Sequence, residues 1–72
     1  MAIVTKIQIE DDFINLAQFL KLTNYINSGG EAKFFLAENE VFVNGEKETK
    51  RGRKLHIGDE IMVNKDKYTI CI

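Results

Sequence analysis

Residues 28–45 read SGGEAKFFLAENEVFVNG, and they place a helix start, an apolar helical face, a strand and a hairpin turn in direct succession. Ser28 and Glu31 have capping-box spacing: the Ser hydroxyl is placed to accept from the Glu31 amide, and the Glu31 carboxylate to reach back to the Ser28 amide. A helix is therefore predicted to begin here. Gly29 and Gly30 fall in its first turn, where each costs about 1 kcal/mol against Ala. Close approach of a partner to the backbone would explain the pair, and so would a tight junction between two helices. Ala32, Phe35 and Leu36, at i, i+3 and i+4, turn toward a core, leaving Gly30, Lys33, Phe34 and Ala37 on the other side. That second side starts at a helix N-terminus, where free amides and the dipole favour an anion such as phosphate. Asn39 stands where the helix should stop, in the left-handed cap conformation that Asn tolerates. Val41, Phe42 and Val43 favour a strand, and Asn44-Gly45 is a strong hairpin signal.

Before this stretch, Ile3, Thr5, Ile7 and Ile9 alternate with Val4, Lys6, Gln8 and Glu10, the period of a strand with one buried face. Asp11 and Asp12 form a polar break. Asn15 and Gln18 repeat the capping-box spacing, with Ile14 placed to staple onto Phe19, and Leu16, Phe19, Leu20 and Thr23 make the inward face of a short helix ending near Asn24. Tyr25 to Asn27 then connect two closely joined helices. After Gly45 a return strand is expected over Glu46 to Thr49, followed by a loop from Lys50 to Lys54. Leu55 and Ile57 are predicted to re-enter the core, with turns at Gly58-Asp59 and Asn64 to Asp66. Ile61 and Val63, then Tyr68, Ile70 and Ile72, supply two further alternating strands. The fold class is α+β, with two short helices packed on a small, twisted, mainly antiparallel sheet of about four to five strands.

A chain of 72 residues has room for one domain and one modest core, and its 44% apolar content argues against disorder. The single cysteine, Cys71, permits no internal disulfide. There is neither a signal-peptide pattern nor an apolar run of about 18 residues, so a cytoplasmic protein without a membrane span is expected. Net charge is −1, but Lys47 to Lys54, KETKRGRK, carries five cations and one anion. Its local charge of +4 leaves −5 on the remaining residues, concentrated at Glu10 to Asp12 and Glu38 to Glu40. Four cations within Lys50 to Lys54 favour phosphate contact through counterion release, although a solvated loop would have the same composition.

Chemistry that needs a constellation is poorly provided for. His56 and Cys71 cannot make up the three or four ligands of a metal site. Ser28 is the only serine and is assigned to capping, which argues against a Ser-His-acid triad. No cofactor, metal or small-molecule substrate is expected.

The pattern Leu16, Phe19, Leu20, Ser28, Ala32, Phe35, Leu36, Val41, Val43, Asn44, Gly45, Gly58, Asp59 and Ile61 resembles the S-four domain, the αL-motif RNA-binding module. The phrases QFLKL, SGGEAK, VNGE and RGRKL are similar to the small free-standing bacterial YaaA-type members, over residues 5 to 72. The resemblance implies a non-enzymatic protein that binds RNA across its second helix and adjacent loops. Ribosomal RNA or a ribosomal subunit is the implied partner, with a role in ribosome assembly or maintenance, by a monomer. The expected contact residues are Lys21, Ser28, Gly29, Gly30, Lys33, Phe34, Lys50, Arg51, Arg53 and Lys54. Many S-four domains have Ser-Arg at the second helix start where this chain has Ser28-Gly29, so that arginine contact does not transfer. Three other readings are a protein-interaction adaptor using the charged patches, an accessory RNA-binding subunit of an RNA-modifying enzyme, and a DNA binder.

Overall fold

The need of each helix start for hydrogen-bond partners organises the architecture, which a computed structural model describes for residues 4–72. Strand β1 (Val4–Gln8) leads to a short β2 (Phe13–Asn15) and helix α1 (Leu16–Leu22). A 3-10 turn over Gly29–Glu31 opens helix α2 (Ala32–Glu38). Strands β3 (Val41–Val43), β4 (Glu46–Lys47), β5 (Lys54–His56), β6 (Glu60–Val63) and β7 (Asp66–Cys71) follow. Five strands form one sheet in the order β1-β7-β6-β3-β4, and β2 and β5 form a separate two-stranded ribbon. Only β1 and β7 run parallel among these pairs, so the α+β, mainly antiparallel reading holds.

The core lies between one face of the sheet and the helices. Val41, Val43, Ile61, Val63 and Ile70 project from the sheet onto Leu16, Phe19 and Leu20 of α1 and Ala32 and Leu36 of α2. Phe19 is fully buried and meets Tyr68 edge-on, with ring centroids 5.2 Å apart. Asn15 caps α1 as expected: its Oδ1 accepts from the Gln18 amide at 2.8 Å, and Gln18 Oε1 accepts from the Asn15 amide at 3.1 Å. At the other end the Thr23 hydroxyl donates to the Phe19 carbonyl at 2.9 Å. The Asn44-Gly45 turn has φ of 53° and 85°, the positive values of a type I′ hairpin.

Several expectations are corrected. The ribbon was not anticipated: Ile14 and Asn15 read as a staple and a cap, yet Ile14 pairs with Leu55, which is fully buried. The second helix does not become α-helical until Ala32, because the glycine pair favours neither helix interior nor a full α-turn and closes a tighter one. Asn39 is extended (φ −124°, ψ 160°) rather than left-handed; its backbone amide and its Nδ2 both donate to the Phe35 carbonyl, at 2.9 and 3.0 Å. Ile57 is exposed instead of buried, since it lies in the turn beyond β5. Strand β4 spans two residues only, Lys54 belongs to β5 rather than to the loop, and β7 stops at Cys71. Ile3 lies outside the described residues.

Candidate nucleic-acid interface

The connection from β4 to β5 is built around a carboxylate inside the cation run. Glu48 Oε1 accepts from the amides of Thr49 and Lys50, both at 3.0 Å, and Oε2 accepts from Arg53 Nη1 at 2.9 Å. The Lys50 amide, then the Arg53 guanidinium and the Thr49 amide, hold the Glu48 carboxyl below its ordinary range against the opposing effect of partial burial. The loop is also fastened from outside. The Leu16 amide donates to the Arg53 carbonyl at 2.8 Å and the Ala17 amide to the Arg51 carbonyl at 3.0 Å, so the loop backbone satisfies the first N–H groups of α1.

This fastening decides which cations are available. Arg53 is committed to Glu48. Lys50, Arg51 and Lys54 have no carboxylate within ion-pair distance among the described residues, and all three are exposed. Lys54 Nζ stands 4.8 Å from the centroid of the Phe13 ring. Further along, Lys21 is exposed in the last turn of α1, beside a shallow depression that it lines with Ile14, Gln18 and Leu22.

The second group of expected residues sits on the Gly29–Glu31 turn and α2. Ser28, Gly29, Gly30, Lys33 and Phe34 are all exposed, Phe34 by 68%. A Cβ at Gly29 would meet nothing within 4 Å, and one at Gly30 only Ser28 Oγ at 4.0 Å. Neither glycine has a positive φ. Packing and conformation within the chain therefore do not require glycine at either position, and the tight-junction explanation falls away. Glu31 Oε2 accepts from the amides of Ser28 at 2.9 Å and Asn27 at 2.6 Å, so these two amides are already engaged by an internal anion.

Helix α1 stands between the two groups: its start holds the basic loop, and it packs against the Gly29–Glu31 turn. No hydrogen bond or ion pair joins the groups directly among the described residues. Tyr25, in the connection between the two helices, is structural. Its hydroxyl donates to Asp66 at 2.8 Å and therefore accepts from Tyr68 at 2.7 Å, and burial first, then these two bonds, pushes its ionisation far up. His56 lies on β5, its amide donating to Asp59 Oδ2 at 2.8 Å, and no group of three potential metal ligands occurs among the described residues. Sequence reasoning missed Phe13 beside Lys54. The signal was an apolar Phe-Ile pair directly before a helix cap, which fits a strand as well as a staple.

Residues 7–71 match the family described as S4 domain. The chain belongs to the S4 domain family. A relative from Bacillus subtilis (strain 168), described as "Probable ribosome maturation protein RlbA", is 53% identical over 57 residues, which covers 79% of this chain and 80% of the relative. The match spans both groups of exposed residues, so the loop on α1 and the glycine turn before α2 are parts of one S4 domain.

Proposed function

We propose that this S4 domain, residues 1–72 acting as a single unit, is a non-catalytic RNA-binding protein. It grips structured ribosomal RNA and assists assembly or maintenance of the large ribosomal subunit in the bacterial cytoplasm. The observation that carries the reading is the clamped loop: Lys50, Arg51 and Lys54 are held out, unpaired, on a backbone tied to α1 at two points. A preorganised cluster of this kind loses little conformational freedom on binding phosphates and gains from the counterions they release. Lys21 extends the surface along α1, and Ser28, Gly29, Gly30, Lys33 and Phe34 provide a second contact on the glycine turn and α2. The open space around Gly29 and Gly30 supports close approach of a nucleic-acid backbone there. The ribosomal step is supported by the name of the Bacillus relative.

The test is crosslinking of the tagged protein in bacterial cells, followed by sequencing of the attached RNA and sedimentation of the lysate. Enrichment of one large-subunit ribosomal RNA region, cofractionation with subunit particles and loss of both in a Lys50→Ala, Arg51→Ala variant are expected. Ribosomal reads at the level of an untagged control would reject the proposal. Titration with RNA and DNA of the same sequence separates the two polymers.

A further inference from the structure

The β2–β5 ribbon has two faces, and the core uses only one. Ile14 and Leu55 point inward; Phe13, Lys54 and His56, offset from them by one residue, point outward. Phe13 and His56 are register partners with ring centroids 6.0 Å apart, tilted by 46°, and Lys54 Nζ lies 4.8 Å from the Phe13 centroid. Phe13 keeps 41% of its surface open. It is thus an aromatic ring fixed on a strand, with a movable cation against it.

The charges around the ring have a polarity. Lys54 is both a ribbon residue and the last cation of the basic loop, so the chain runs from the cation at the ring directly back through Arg53, Arg51 and Lys50. Glu48 is occupied within that loop, and Asp59 is taken by the His56 amide, with His56 Nδ1 3.8 Å away. The acids that precede Phe13 in sequence, Glu10, Asp11 and Asp12, lie on the connection that leads into it from β1. Phosphate is therefore favoured on the β5 side of the ring.

From this arrangement we infer that the outward face of the ribbon is a stacking site for an unpaired RNA base, with Phe13 as the platform and Lys54 on the phosphate of the same nucleotide. The inference rests on the RNA-binding reading and deepens it. A flat π face beside a cation suits a base splayed out of a loop or bulge, the form in which single-stranded RNA is read. Lys54 leaves the ring when a phosphate draws it off, which opens that face to the base.

The test uses the full chain and two RNA hairpins with the same stem: one has a loop of five adenosines, the other the same loop with abasic riboses. The phosphates are identical, so the affinity ratio reports on bases alone. The wild type is expected to favour the adenosine loop by about 5- to 20-fold. Phe13→Ala should bring the ratio close to one without changing the salt slope, because Phe13 carries no charge. Phe13→Leu keeps apolar bulk on the ribbon and should fold normally while still losing most of the ratio, and Ile72→Ala, which removes an exposed apolar side chain outside the proposed surface, should leave it intact. A wild-type ratio of one, a ratio that survives Phe13→Ala, or a ratio lost equally in Ile72→Ala, overturns the stacking site and leaves the RNA reading standing. Failure of both hairpins to bind at low salt overturns the RNA reading and this inference with it.

Discussion

Arg51 and Arg53 are two positions apart in the same cationic run, yet only Arg53 is held by Glu48. Composition made the run legible and counted Glu48 as one opposing charge; it did not reveal that this carboxylate is the hub of the loop. Pairing depends on how the loop backbone is folded, which is set by the amides of Leu16 and Ala17. The two arginines should therefore behave differently. Arg51→Ala is expected to flatten the dependence of log affinity on log salt by about one unit and leave the melting temperature unchanged. Arg53→Ala should flatten it by less than about half a unit and cost about 0.5 kcal/mol of stability, the order of an exposed ion pair. Equal slopes in salt titrations of the two variants would mean that the Glu48 pair opens on binding. Glu48 itself gives a pH signature. Its carboxyl is lowered in the folded state, so its contribution is complete above the ordinary Glu value of 4.5 and is lost as pH falls through the lower folded value. Glu48→Gln should be about 1 kcal/mol less stable than the wild type at pH 7, with the gap narrowing below about pH 4.5 in urea denaturation. A gap that widens on acidification would contradict this assignment.

Turns and caps were readable because their chemistry is local. Asn44-Gly45, Gly58 and the Asn15–Gln18 box are each specified within a few residues, and each forms where expected. The β2–β5 ribbon was not readable, because three-residue strands carry no usable period and the register of Phe13 with His56 joins distant parts of the chain. The helix face of α2 was readable, but its 3-10 opening was not, since the capping spacing of Ser28 and Glu31 is the same in either turn. The hairpin turn between β3 and β4 also does more than reverse the chain. Asn44 Oδ1 accepts from the Glu60 amide at 3.0 Å, and its own amide donates to the Glu60 carbonyl at 2.8 Å, so the side chain and backbone of one turn residue bridge to β6. Asn44→Ala removes the side-chain half of that bridge together with the bond from Asn44 Nδ2 to Asp59 Oδ1 at 3.2 Å, and leaves at φ 53° a residue that tolerates the left-handed region less well than Asn. A loss of about 1–2 kcal/mol is expected from the broken bond and the left-handed backbone together. Thermal melts of Asn44→Ala and Asn44→Gly separate the two contributions: glycine should recover the backbone part only. An unchanged melting temperature in Asn44→Ala would show that the bridge is dispensable.

A net charge of −1 is ill suited to binding a polyanion, and the dimensions of the molecule against the range of its charges resolve the conflict. Its principal extents are 30 × 28 × 20 Å, whereas the Debye length is about 8 Å at physiological ionic strength. Charges more than a Debye length from a phosphate bound at the loop are screened from it, and the phosphate responds first to the local +4 of Lys47 to Lys54. With Arg53 committed internally, Lys47, Lys50, Arg51 and Lys54 remain of that run, joined by Lys21 or Lys33 if the RNA spans α1 to reach the glycine turn. Neutralising four or five phosphates gives a slope of log affinity against log salt of about −3 to −4 near physiological ionic strength. At about 0.01 M salt the Debye length grows to about 30 Å, as large as the protein, and the −5 carried elsewhere is felt. Binding should therefore strengthen less steeply toward low salt, so that the plot bends over instead of continuing as a line. Fluorescence-anisotropy titrations from about 0.01 to 0.3 M salt would show the bend, and replacing Glu38 and Glu40 by Gln should straighten it while leaving the slope at high salt intact. A plot that stays linear throughout, or a bend that persists in the Glu38→Gln, Glu40→Gln variant, would contradict this account.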